Sequence, residues 1–342
     1  MEVNLISDTD TRPTPGMLKA MFEAEVGDDV FRKDPTVLHL EAKMAEMFGK
    51  NSALFCPSGT MTNQIAIKVH TRPLDEIICD ETAHIYQYEG GGYAFNSGVS
   101  VHLLRGKNGK FTADMVAQGV KAKFDWLPRT SLVVVENTSN KGGGTIFTLQ
   151  EIEEIRNICD KNQLALHLDG ARVFNALVET GDSCLELGRK FHSISVCLSK
   201  GLGAPVGSVL IGDREFIDEA RRIRKVMGGG MRQAGYLAAA GIYALDHHIP
   251  LLKVDNERAK HIGNILKNKS RIKEVRPVQS NIVLFDLKEG YNSSQCVADL
   301  EKRGILCLPF GPQTVRMVTH LNLTEKMIVY LEKTLIDFPF FD

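Results

Sequence analysis

The chain has 342 residues, of which 43% are hydrophobic and 24% charged, with a formal net charge of −1. That is enough apolar material for one large core or two, and the balanced charge excludes the basic footprint of a nucleic-acid binder. Seven cysteines without a CxxC pair predict reduced core thiols in a cytoplasmic protein, and no run nears the roughly 18 apolar residues of a membrane span.

The stretch up to Val37 is rich in Thr, Asp, Pro and Gly, and is expected to drape as an arm over a cleft or a neighbouring chain. Its start, Met1 to Thr9, lacks the basic and apolar regions of a secretory signal. Beyond it, short apolar runs alternate with amphipathic stretches, the pattern of a mainly parallel sheet wrapped by helices. Strands are predicted at Ser52 to Cys56, Glu76 to Cys79, Ser100 to Leu104, Ser131 to Glu136, Leu164 to Leu168, Ser193 to Leu198 and Val206 to Ile211. Among the helical stretches, Gln150 to Lys161 places Ile152, Ile155, Ile158 and Cys159 on one face. The basic run Arg221-Arg-Ile-Arg-Lys225 is expected to be a solvated helix face.

From about His247 the texture changes. An amphipathic helix over Leu251 to Lys267 is followed by strands at Arg271 to Arg276, Asn281 to Leu287 and Thr314 to Thr319, with a helix near Ser293 to Arg303. The prediction is an α/β fold with a large domain over residues 1–246, arm included, and a small α+β domain over residues 247–342.

Residues that carry chemistry stand just past the predicted strands. Pro57-Ser-Gly-Thr60 opens a helical run, either as a plain Ser/Thr cap or as an anion site built from Ser58, Gly59 and Thr60. His84 follows the second strand; it either stacks on a ring or moves a proton, or else it shares a structural turn with Glu89 and the glycines at 90–92. Asp169 closes Leu164-Ala-Leu-His-Leu-Asp169, and Lys200 stands at the mouth of Ser195-Val-Cys-Leu-Ser-Lys200. A lysine there is either a surface residue behind a buried strand or an amine freed by burial to form a Schiff base with an aldehyde cofactor. An acid and a lysine ending two neighbouring strands suit pyridoxal phosphate, whose ring nitrogen needs a carboxylate and whose aldehyde needs an amine. In an open α/β sheet both lie at the carboxyl edge.

Arg172 and Arg316 are candidates for a carboxylate clamp, since a guanidinium fork gives two parallel charge-assisted bonds. Arg316 lies within an apolar strand, where it needs a partner. No metal site is expected, because the only adjacent histidines are His247 and His248 and no HExxH spacing occurs.

In order along the chain, Ser7-Asp-Thr-Asp-Thr-Arg-Pro-Thr14, Val26-Gly-Asp-Asp29, Asp34-Pro-Thr36, Pro57-Ser-Gly-Thr60, His84-Ile-Tyr-Gln-Tyr-Glu-Gly90, Glu136-Asn-Thr138, Asp169-Gly-Ala-Arg172 and Ser199-Lys-Gly-Leu-Gly-Ala-Pro205 resemble the low-specificity L-threonine aldolases. These are fold-type-I pyridoxal 5′-phosphate enzymes of the β-eliminating lyase group. The likeness runs from Ser7 to Arg316, and it implies cleavage of β-hydroxy amino acids, L-threonine or L-allo-threonine giving glycine and acetaldehyde. It implies that Lys200 binds the cofactor as a Schiff base, Asp169 partners the pyridine nitrogen and His84 stacks over the ring. Ser58, Gly59 and Thr60 would hold the phosphate, with Arg232 arriving from a neighbouring subunit of a dimer or tetramer. Ser7, Arg172 and Arg316 would gather round the substrate carboxylate, Arg172 also reaching the cofactor's phenolic oxygen. Two positions depart from the family pattern: Phe31 replaces a common tyrosine, and Ser139 a common histidine, which leaves His84 and a water as proton acceptors. Other β-eliminating lyases and aminotransferases share the same anchors, and a non-catalytic pyridoxal phosphate-binding protein is the remaining alternative.

Overall fold

Apolar runs buried on both faces build the largest sheet in the computed structural model, which describes residues 1–341. After the two-residue strand β1 (Val3–Asn4) come β2 (Ser52–Cys56), β3 (Asp75–Asp80), β4 (Ser100–Leu104), β5 (Arg129–Glu136), β6 (Ala165–Gly170), β7 (Ser193–Cys197) and β8 (Ser208–Gly212). Strands β2 to β8 form one sheet in the order β2-β8-β7-β6-β5-β3-β4. Strand β8 runs antiparallel to both neighbours, and every other pair is parallel. The carboxyl ends of β2, β3, β5, β6 and β7 therefore share one edge. All seven predicted strands form, their ends moved by no more than two residues.

Local chemistry explains the helices between them. Helix Leu149–Asn162 starts on a reciprocal Thr148–Glu151 cap and buries Ile152, Ile155 and Cys159, with Ile158 against the rim of the core. In helix Arg214–Val226 the basic run is not a solvated face as expected. Buried Arg224 donates to the Phe55 carbonyl at 2.6 Å and pairs with Asp29 at 2.8 Å, while Arg221 pairs with Glu41 at 2.8 Å. Those acids lie far away in sequence, and only Arg222 and Lys225 of the run's basic residues are exposed.

The second sheet is antiparallel. It comprises β9 (Ile272–Val275), β10 (Ile282–Leu287), β12 (Leu308–Pro309) and β13 (Thr314–Val318) in the order β12-β13-β10-β9, while β11 (Ile305–Leu306) pairs in parallel with β1. Helices Leu252–Leu266, Ser293–Glu301 and Glu325–Ile336 pack with it around a core of its own. Val3 and Leu5 are fully buried in that core, whereas helix Pro15–Phe22 packs on helix Gly235–His247 and buries Met17 in the core of the larger sheet. The N-terminal arm thus crosses from one core to the other. Between these two anchorages it passes the carboxyl edge of the large sheet.

Candidate active site

Ser58 follows β2, His84 follows β3, Glu136 ends β5, Asp169 lies in β6 and Lys200 stands three residues beyond β7. The parallel strands thus bring them to one edge, where two adjoining cavities of about 140 and 310 Å³ share Thr9, His84, Ala171 and Lys200. Cavities of about 510 and 600 Å³ at the opposite edge are larger, but neither Asp169 nor Lys200 lines them.

The smaller cavity holds Asp169, Lys200 and the start of helix Gly59–His70. Asp169 is buried, with Oδ2 accepting from Asn63 Nδ2 at 2.9 Å and Oδ1 from the Ala171 N–H at 3.2 Å. Ser58 caps the helix by accepting from the Met61 N–H at 3.2 Å. The N–H groups of Gly59 and Thr60 then lie in the first turn, which has no intrahelical acceptor to offer them. Lys200 is half-buried, and its carbonyl accepts from Thr11 of the arm at 2.8 Å.

His84 sits between the cavities. Its backbone N–H donates to Glu136 at 2.8 Å, and its Nδ1 is hydrogen-bonded to Glu89 at 2.9 Å. Burial pulls the imidazole pKa down, but the Glu89 hydrogen bond and the charges of Asp169, Glu89 and Glu136 outweigh it and raise the pKa above the usual histidine value. Nε2 has no partner among the described residues. Glu136 is buried, and its carboxyl is pushed up to about 7 by burial and by the charge of Asp169, against the N–H donors of Asn140 and His84. Nδ1 of His84 and the carboxylates of Glu89 and Asp169 lie within 4.8 Å of one another, and Asn63 Nδ2 already bridges the two acids.

The larger cavity is lined by Ser7, Arg172 and Arg316 as well as Glu136 and Asn140. Arg172 is not free: its Nε and Nη2 both donate to Asp8 at 2.7 Å, a fully buried two-point ion pair. Burial alone would raise the Asp8 carboxyl, but Arg172 overrides it and holds the pKa at about 2. Arg316 donates from Nη1 to Asn140 at 3.0 Å and from Nη2 to the Ile6 carbonyl at 3.1 Å, and its guanidinium lies 4.7 Å from the centre of the Phe310 ring. Its buried Nε has no acceptor among the described residues. Arg232 reaches neither cavity; it is exposed and pairs with Asp28 at 2.9 Å.

A family model described as Beta-eliminating lyase matches residues 4–289. The chain belongs to the beta-eliminating lyase family. It is 38% identical to low-specificity L-threonine aldolase 1 of Arabidopsis thaliana, over 96% of this chain and 94% of that one. It is 37% identical to the low specificity L-threonine aldolase of Escherichia coli K12, over 95% and 96%. Its backbone is similar to that of a threonine aldolase from Leishmania major, with a TM-score of 0.84 at 22% identity, over 97% of this chain and 98% of that one.

In this beta-eliminating lyase the predicted anchors Ser58, Gly59, Thr60, His84, Asp169 and Lys200 meet in one place, with Ser7, Arg172 and Arg316 beside them. Sequence reasoning missed Asp8, Asn63, Glu136 and Asn140. The signal for Asp8 was present but indirect, since a buried arginine requires an acid, and the arm offers Asp8 and Asp10.

Proposed function

We propose that this chain is a pyridoxal 5′-phosphate-dependent lyase that cleaves L-threonine and L-allo-threonine to glycine and acetaldehyde by a retro-aldol reaction. One observation carries the reading: the Lys200 amine, the buried Asp169 carboxylate and the open first turn of a helix all face one cavity. That donor and acceptor set fits the cofactor, whose three polar ends are an aldehyde, a basic ring nitrogen and a phosphate. When bound, pyridoxal phosphate supplies an aldehyde that takes up an amine and a ring that draws electrons from the substrate Cα.

The protein's part is to bind, orient and move protons. Lys200 Nζ anchors the cofactor, and Asp169 holds the proton on its ring nitrogen. Ser58, Gly59 and Thr60 bind the phosphate with O–H and N–H donors at the positive end of a helix. Arg316 and Ser7 grip the substrate carboxylate from the wall of the larger cavity. Arg172, with two of its N–H donors committed to Asp8, keeps those of Nη1 and the second hydrogen of Nη2 for the ligand. That grip would fix the orientation of the substrate, and so bear on which bond at Cα breaks.

His84 borders both cavities and would lie beside a bound cofactor. With Nδ1 bonded to Glu89, its Nε2 is the atom that takes the proton from the substrate's β-hydroxyl. Arg232 lies outside its own chain's cavities and fits a site completed by a neighbouring subunit, in a dimer or tetramer. Seven free thiols suit a cytoplasmic enzyme, and no helix among the described residues is long and apolar enough to cross a membrane.

The purified protein is expected to show visible absorbance from bound cofactor and to release acetaldehyde from both threonine diastereomers. Lys200→Ala should lose that absorbance band and nearly all turnover. A keto-acid product without aldehyde would replace this reading with transamination.

A further inference from the structure

Behind the cofactor cavity, a polar stripe runs through an otherwise apolar sheet. His167 and Asp169 share a face of β6, as residues two apart in a strand must. Ser193 of β7 lies in register beside His167. Over them packs helix Gly59–His70, which contributes Asn63 and, two turns later on the same face, His70. His167, Ser193 and Asn63 are all buried. Buried polar groups in such a place must be paired.

They are paired in a chain whose direction is fixed by its chemistry. Asn63 Nδ2 lies 2.9 Å from Asp169 Oδ2 and 2.9 Å from Glu89 Oε1, both carboxylate acceptors. Only the amide nitrogen, with two hydrogens, suits that side, so Asn63 Oδ1 faces His167 Nε2 at 3.1 Å. An oxygen there requires a hydrogen on Nε2, which leaves Nδ1 of the neutral ring to accept from the Ser193 hydroxyl at 2.8 Å. The Ser193 oxygen then accepts from His70 Nε2 at 2.7 Å. Burial keeps both imidazoles neutral, pushing His167 down to about 4 and His70 to about 3. The His70 ring is held in place by stacking on Phe216 at 4.6 Å.

We propose that Asn63, His167 and Ser193 are positioning residues for Asp169: their hydrogen bonds run one way, from His70 to the carboxylate, and fix it as the acceptor for a protonated ring nitrogen. The proposal rests on the functional reading above. Asn63 has a second role in the same network, since Glu89, which it also grips, holds Nδ1 of His84. One amide therefore ties Asp169 to His84 through Glu89.

The test is nitrogen NMR on the holoenzyme, with labelled histidine and labelled pyridoxal phosphate. In the unaltered protein His167 and His70 should both be neutral with the proton on Nε2. In His167→Leu the ring nitrogen of bound pyridoxal phosphate should move towards the unprotonated shift, and the cofactor should dissociate about tenfold more readily, the loss expected when a hydrogen bond to a charged group is weakened. His167→Gln, which restores an amide donor near the position of Nε2, should recover most of both. A proton on Nδ1 of His167, a charged His167, or an unchanged cofactor shift in His167→Leu would each overturn the proposal. Failure of the unaltered protein to bind pyridoxal phosphate would instead remove the functional reading and the proposal with it. The histidine tautomers need no variant to fold.

Discussion

Asp8 shows how much one residue of the arm does for the site. It neutralises the buried Arg172 in two-point geometry and accepts a further bond from Asn281 Nδ2 at 3.1 Å, which ties arm, large sheet and small sheet at one atom pair. Because its folded pKa of about 2 lies below the ordinary carboxylate value, this stabilisation is complete above about pH 4 and is lost as pH falls towards 2. Asp8→Asn keeps the shape but leaves a buried guanidinium unpaired, so it should cost about 3 kcal/mol in urea unfolding at pH 7 and lower kcat/KM by releasing Arg172 from its orientation. An unchanged urea midpoint would show that the pair contributes no net stability. At this scale the sequence was legible only where a residue broke a pattern. Lys200 and Asp169 stood out because charged groups ended apolar strands, whereas Asp8 lay in a polar arm, separated by 164 positions from its partner. Asn63 was hidden for the same reason, as its partners Glu89, His167 and Asp169 come from two other segments.

Helix Gly59–His70 is the element on which the site turns, with the proposed phosphate donors at its start and Asn63 one turn on. It lies so close to β7 that a Cβ at position 59 would come within 2.6 Å of Cys197 Sγ. Gly59→Ala should therefore push the first turn away from the cavity, a strain of about 1–3 kcal/mol, and weaken pyridoxal phosphate binding while the fold survives. Removing the obstructing sulfur in Gly59→Ala/Cys197→Ala should restore much of the affinity, a coupling that equilibrium dialysis of the four proteins would measure. If the second substitution restored nothing, close approach to Cys197 would not be what the glycine serves. Elements of this kind were visible in advance because their apolar faces repeat locally: all seven large-sheet strands and helix Leu149–Asn162 formed where periodicity placed them. Helix Pro15–Phe22 was not visible, since its proline and polar flanks resembled an irregular arm, and helix Pro35–Met47 starts in that arm and runs on past Val37, where no element was predicted. In both, the proline occupies the first helical position, where its missing N–H costs nothing.

Across the whole molecule, two cores are held together by contacts that no local pattern announces. β1 pairs with β11 some three hundred residues away, so Val3 and Leu5 pack in the core of the second sheet. Close by, helix Leu252–Leu266 carries a buried acid that works against the fold. The Asp255 carboxyl is pushed up to about 7, first by burial and then by the charge of Asp8, with Arg258 opposing, and its Oδ2 has no partner among the described residues. A carboxyl that binds its proton more tightly in the folded state than in the unfolded one, near 3.8, destabilises the protein progressively as pH rises from about 4 to 7, and by a constant amount above that. Asp255→Asn replaces the buried acid with a neutral group of the same shape. Its melting temperature should exceed that of the unaltered protein by a margin that is small near pH 4, grows up to pH 7 and is level beyond, worth about 4 kcal/mol or less at 1.36 kcal/mol per pKa unit. Thermal melts of both proteins across pH 4 to 9 would decide it, and a margin that did not widen with pH would mean that the acid finds a partner when it ionises.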